Sequence, residues 1–246
     1  MIVIISYKLH VTSDLHIGSG IGLPGVIDEY VVRDQDNFPF LPGSEIKGIL
    51  RSNCVNLLKY TGKWESNVCE GQKQWHDKME EMMSGIKLEN FCALAEDEET
   101  CVLCSIFGSP AGKGNWWFST ATYPKPYRDA IRNAELENKE LRLAFRDMAT
   151  SAHTTIDKET KRTKENHLIN LEVVRIEDNR YLKGSVEMIN SNNIGNDQIG
   201  WLTASLLFTR RIGGKKRRGW GKCRFELVSP DKSNALTAME KVIRSS

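Results

Sequence analysis

No apolar run in this chain of 246 residues approaches the ~18 residues of a membrane span, so a transmembrane helix is excluded. The apolar start, Met1 to Ile5, is too short for a signal peptide and lacks its charged n-region. A cytoplasmic chain with no membrane attachment is therefore expected. Net charge is also scarce, +2 at pH 7, which argues against general coating of a polyanion. No internal repeat recurs at a fixed period, which argues against a solenoid. In a reducing compartment the six cysteines are expected to be reduced, metal-bound or buried, not disulfide-bonded. Histidine is rare, and none follows His167.

Against that near neutrality, charge is concentrated in one stretch. Of the thirteen residues from Arg210 to Lys222, seven are cationic. Gly213, Gly214, Gly219 and Gly221 interrupt them, giving access to positive φ and close backbone approach. Successive N–H groups in such a turn can form an anion-binding concavity. Lys215, Lys216, Arg217 and Arg218 are candidates for gripping a phosphodiester backbone, with Trp220 placed to stack on a base. The bland alternative is a solvated basic loop.

The rest of the chain alternates between regular and irregular stretches. Residues 2 to 12 read as a strand, with Ile5, Tyr7, Leu9 and Val11 on one face. Residues 13 to 43 are broken by glycine and proline, and so long a stretch without regular structure is often functional. Ser44 is expected to cap a helix whose apolar stripe runs through Ile46, Leu50, Cys54, Leu57 and Leu58. Lys47 and Arg51 lie one turn apart on another face, and the helix start offers a second anion site. Residues 61 to 113 are polar and read as an insertion. Residues 115 to 123 are strand-like, 127 to 147 helix-compatible, and 151 to 167 too polar for core. Strands follow at 168 to 176, 182 to 188 and 222 to 228. Helices are expected at 197 to 211 and 234 to 244. The order predicts a single α+β domain, ferredoxin-like (split βαβ, RRM-like), with two long decorations.

Four cysteines fall in the insertion. Cys101 and Cys104 make a Cys-x-x-Cys knuckle, and Cys92 precedes them. Three thiolates and one further ligand, Cys69 or His76, would complete a tetrahedral Zn2+ site. The alternatives are free thiols or a redox pair. Cys54 and Cys223 sit on apolar faces and read as core thiols.

Several segments together resemble the RAMP superfamily, specifically the repeating backbone subunit of type III (Csm/Cmr-like) CRISPR–Cas effector complexes. They are His16-Ile17-Gly18-Ser19-Gly20, the stretch Gly25 to Asp34, the helix start Phe40 to Ser52, and Ile212-Gly213-Gly214 with Arg218-Gly219-Trp220-Gly221. A softer match is Ile156-Asp157-Lys158-Glu159-Thr160. Val26 and Tyr30 depart from the family pattern around Asp28. The resemblance implies a subunit that polymerises along CRISPR RNA, binds target single-stranded RNA, and contacts other effector subunits. It implies a thumb hairpin within 145–170 and a zinc-binding insertion at 61–113, with a knuckle before Phe107-Gly108. Asp28 is then the catalytic residue of a metal-dependent endonuclease using Mg2+ or Mn2+. His16, Lys47, Arg51 and the residues Gly213 to Trp220 hold RNA. By its residues alone, Asp28 also suits an Asx-turn. The alternatives are an inert backbone subunit of the same assembly, or a stand-alone CRISPR RNA processing endonuclease. The second would want a histidine near the glycine loop.

Overall fold

Strand β1 (Ile4–Val11) buries alternate residues, so Ile5, Tyr7, Leu9 and Val11 face the core while their neighbours stay on the other face. It lies inside a four-stranded sheet in the order β2-β5-β1-β6, where β2 is Trp116–Phe118, β5 is Leu182–Met188 and β6 is Cys223–Leu227. All three pairings are antiparallel. Helix α1 (Gly43–Tyr60) follows β1, and α6 (Asn196–Phe208) joins β5 to β6. This is the split βαβ arrangement expected from the element order. The computed structural model describes residues 3–23, 25–77, 87–92, 100–137, 147–156, 161–176, 180–189, 196–228 and 232–244.

The helices cover one sheet face. α1 packs against α6, and α6 against α7 (Lys232–Arg244). Trp201, Leu202, Thr203, Ala204, Ser205 and Leu206 are all buried, because α6 is enclosed on several sides. Ser205 donates to the Trp201 carbonyl and Thr209, just past the helix end, to that of Ser205, whereas the buried Thr203 hydroxyl has no hydrogen-bond partner among the described residues. α1 begins at Gly43 with Pro42 at the cap position and no side-chain capping bond, so Ser44 lies within the first turn and is not the cap. Among the described residues no helix is long and apolar enough to cross a membrane.

Two excursions leave this core. Among the described residues, three short α-helices lie between α1 and β2, α2 (Trp64–Asn67), α3 (Glu70–Asp77) and α4 (Val102–Phe107). Between β2 and β5 lie α5 (Lys125–Glu137) and a hairpin of β3 (Met148–Ile156) and β4 (Thr163–Val174). The polar 151–167 stretch thus contributes to an antiparallel hairpin, with an irregularity between Thr154 and Ile156; residues 157–160 lie outside the described residues. Asp147 anchors its base with a buried carboxylate. It accepts from the Tyr123 hydroxyl at 2.7 Å and pairs with Arg180.

Candidate RNA-binding and thiol sites

The irregular stretch after β1 wraps around the end of β4. Leu15 bridges to Val174, and Glu29 bridges in parallel to Leu171. Glu172 is the junction. Its carboxylate is buried and takes the Val31 N–H at 2.9 Å and Arg33 Nη2. Its own N–H donates to the Glu29 carbonyl at 3.1 Å, and its carbonyl accepts from His16 Nδ1 at 2.7 Å. The second His16 nitrogen faces Glu29 Oε2 at 3.1 Å. His16, expected to touch RNA, is only 2 % exposed, so its ring positions this loop.

Asp28 is exposed and fixed to the hairpin base. Its N–H donates to the Asn170 carbonyl at 2.8 Å, and its Oδ2 accepts the Asn170 N–H at 2.6 Å. The Asn170 side chain adds a bond to the Val26 carbonyl at 3.3 Å. A strand far along the chain holds this carboxylate, not an Asx-turn. The other oxygen has no partner among the described residues. Asp34 does act as a turn residue: its Oδ1 accepts from the N–H groups of Asp36 and Phe38. Arg128 pairs with both Asp34 and Asp36.

The basic loop closes a pocket against these residues. Lys215, Lys216, Arg217 and Arg218 are all exposed. Lys216–Arg218 form a 3-10 turn, entered through Lys215 at φ 54 and left through Gly219 at φ 90. The N–H groups of Gly214, Arg218, Gly219 and Gly221 already donate within the chain. A phosphate would therefore meet the side-chain cations, not those amides. The tight approach at Gly213 and Gly221 is also internal. A Cβ would sit 2.5 Å from the His16 carbonyl oxygen at Gly213, and 1.9 Å from that of Ile212 at Gly221. Trp220, expected to stack on a base, is buried against Leu171 and Val173. Its ring lies 5.0 Å from that of His153. The indole pins the loop to the hairpin, where apolar partners outcompete solvent for its surface.

A pocket of about 330 Å³ is lined by His16, Ile17, Gly18, Glu29, Glu45, Gly213, Gly214 and Lys215. Glu45, in the first turn of α1, places negative charge where a second anion site had been expected. Lys47 is half-buried, and desolvation, then the charge of Arg51, hold its ammonium below the usual lysine value. Arg51 turns toward the insertion: Nη2 donates to Gln72 Oε1, and the guanidinium lies over Trp75. Sequence reasoning missed Glu29, Asn170, Glu172 and Gln72, none of which belongs to a pattern that marks it.

The insertion brings four sulfurs together. The Sγ atoms of Cys69, Cys92, Cys101 and Cys104 lie within 4.8 Å of one another. Four thiolates on a tetrahedral ion with metal–sulfur bonds of about 2.3 Å lie about 3.8 Å apart, so the set fits Zn2+. His76 lies outside it, its ring against Trp64. The Cys101 N–H points at Cys92 Sγ (3.3 Å) and the Cys104 N–H at Cys101 Sγ (3.4 Å). Hydrogen bonding to Cys104 and Cys69 pushes the Cys101 thiol up, whereas bonds from Cys101 and Cys104 hold Cys69 down. Cys54 and Cys223 are buried core thiols, as expected.

A search of curated proteins found no match. A chain of the cryo-EM structure of the Type III-B Cmr-beta bound to cognate target RNA superposes with a TM-score of 0.54. The match covers 92% of this chain and 97% of that one at 15% identity, and so shows a shared fold. The model of the RAMP superfamily matches residues 8–224. This protein therefore belongs to the RAMP superfamily.

Proposed function

We propose that the protein is an RNA-binding subunit of a type III CRISPR effector complex that holds CRISPR RNA, pairs it with target RNA and cuts the target through Asp28. The observation that carries this reading is the placement of Asp28. Its exposed carboxylate is anchored by one oxygen to the base of the hairpin, beside the residues that bear the pocket and basic loop. In RNA cleavage the nucleophile is the substrate's own 2′-hydroxyl. The protein's task is then in-line geometry and proton removal. Asp28 is oriented through Oδ2, which leaves Oδ1 to accept the 2′-hydroxyl proton. The four exposed cations Lys215 to Arg218 hold backbone phosphates without reading sequence, and Lys47 adds to that grip. The hairpin serves as the thumb that interrupts the guide–target duplex, and copies of the chain with other effector subunits extend the assembly.

Two metals enter this reading in different ways. Cys69, Cys92, Cys101 and Cys104 would hold Zn2+, which would stabilise the insertion. Mg2+ or Mn2+, when bound with the RNA, would supply charge neutralisation at the scissile phosphate. Among the described residues the thiol group is the only cluster of three or more metal-ligating side chains. A hard ion would therefore draw its ligands from RNA phosphates and water, leaving Asp28 Oδ1 as the proton acceptor.

The second reading is an inert backbone subunit, in which the Asp28–Asn170 bond only joins loop to hairpin. The assembled complex with wild-type chain or Asp28→Ala separates the two. The catalytic reading expects target binding to persist in the variant while regularly spaced, metal-dependent cuts vanish. Equal cutting by Asp28→Ala refutes the assignment. A wild type that binds target but never cuts it leaves the inert reading.

A further inference from the structure

A buried polar chain links helix α1 to the thiol group. Gln72, three residues after Cys69, is 0 % exposed. Its amide oxygen accepts from Arg51 Nη2. Its amide nitrogen donates to Cys104 Sγ at 3.3 Å and to the Gly108 carbonyl at 3.2 Å. These partners fix which end of the amide faces the sulfur. Turned over, the oxygen would meet two acceptors and the nitrogen would meet a guanidinium, a mismatch at every contact. Arg51 thus holds the Gln72 N–H toward Cys104.

Arg51 has needs of its own. Its guanidinium carbon lies 4.6 Å from the centre of the Trp75 ring, and its Nε is buried without a hydrogen-bond partner. Among the described residues no carboxylate forms an ion pair with it. A half-buried cation whose Nε is shut off from water is costly unless negative charge lies close by. The nearby charge comes from the thiol group, which Arg51 reaches through Gln72 and the Cys104 sulfur. A zinc ion with four thiolates carries two net negative charges, and such a centre is held by donors to its sulfurs.

We propose that Arg51 and Gln72 are the outer support of the four-cysteine zinc site. Arg51 orients the Gln72 amide, Gln72 donates to the Cys104 sulfur, and the guanidinium offsets the charge of the thiolates. This rests on the zinc reading above. It gives Arg51 a metal-site role that its spacing from Lys47 on α1 does not suggest.

The test uses the full-length protein, loaded with zinc and challenged with a chromophoric chelator, and separately reloaded with cobalt(II). Wild type is expected to hold about one zinc per chain and, with cobalt, to show thiolate charge-transfer bands. Arg51→Met and Gln72→Met keep the approximate side-chain volume and remove the donors. Each is expected to weaken metal affinity about 10- to 100-fold and to shift the cobalt bands. Because Arg51 acts through Gln72, the double variant should lose little more than the worse single variant. Lys183→Ala removes an exposed charge on β5 and should leave zinc release unchanged. If the methionine variants do not fold, Gln72→Glu takes their place. It keeps a partner for Arg51, sets an acceptor against the sulfur, and is expected to release zinc faster. Wild-type affinity with unshifted bands in the variants overturns the proposal and leaves the zinc site standing, and additive losses overturn the relay. A wild type that takes up neither zinc nor cobalt overturns the zinc reading and the proposal together.

Discussion

Replacing Glu172 by alanine should unfasten the loop that carries Asp28 from the hairpin. The wild-type carboxylate is 9 % exposed and satisfies Arg33 Nη2 and the Val31 N–H. Arg33 Nε is already buried without a partner, so Glu172→Ala would leave a guanidinium and a backbone amide unpaired in the interior. Removing one member of a buried pair costs about 3–5 kcal/mol. Arg33 retains contact with water at 26 % exposure, which places the expected loss near the lower end, about 3 kcal/mol. For a chain of this length that corresponds to a fall in Tm of about 6–12 °C. Thermal unfolding by circular dichroism measures it. Arg33→Ala combined with Glu172→Ala should cost less than the two single losses added, because the double variant strands no charge. A Glu172→Ala protein melting within 2 °C (about 0.5–1 kcal/mol) of wild type would refute the reasoning, and Glu172 would then be a bystander at the junction.

Two further outcomes can be measured. Each phosphate neutralised on a single strand contributes about 0.7 to the slope of log affinity against log salt. Neutralising Lys215, Lys216, Arg217 and Arg218 together should therefore flatten that slope by up to about 3, and an unchanged slope would mean that the loop faces something other than RNA. Burial pushes the Cys54 and Cys223 thiols up to about 12, so at pH 8 both stay protonated in the folded protein. Iodoacetamide followed by mass spectrometry should leave them unlabelled while chelator-treated protein takes label at Cys69, Cys92, Cys101 and Cys104; labelling of Cys54 in the folded protein would contradict its burial.

The parts of this structure that were legible beforehand are those where one face is buried and the other is not. The alternation in β1, β5 and β6 follows from a sheet covered on one side, and the strands fall within a residue or two of their expected ends. The stripe on α1 is equally plain, yet its start was misplaced at Ser44. The helix opens instead at Gly43, after Pro42, where a side chain would meet the Phe118 carbonyl oxygen at 2.0 Å, a contact set by β2 far along the sequence. The hairpin strands were harder to read. Along β3, Ser151 and His153 are half-buried and Ala152 and Thr154 exposed, but polar residues occupy both faces, so the sequence shows no apolar alternation. Trp220 looked like a stacking platform because its flanks are basic and glycine-rich. What buries it, Leu171 and Val173, lies on another strand. Cys69 could not be chosen over His76 by spacing, since both precede Cys92 and only the folding of α3 brings Cys69 to the other sulfurs.

The hairpin has a mechanical consequence. Among the described residues it shares no strand pairing with the four-stranded sheet, touching the irregular stretch after β1 through single bridges at Leu15 and Glu29. β4 contains 12 residues, which at about 3.3 Å each span about 40 Å. In this beam the seven residues beyond Asn170 span about 23 Å, so a tilt of about 5° at the fulcrum becomes a displacement of about 2 Å at the far end. Its fulcrum is Asn170 to Val174, the same residues that hold Asp28, Glu29 and His16. A load applied far out on the beam is therefore delivered, as torque, to the bonds that set the direction of the Asp28 carboxylate.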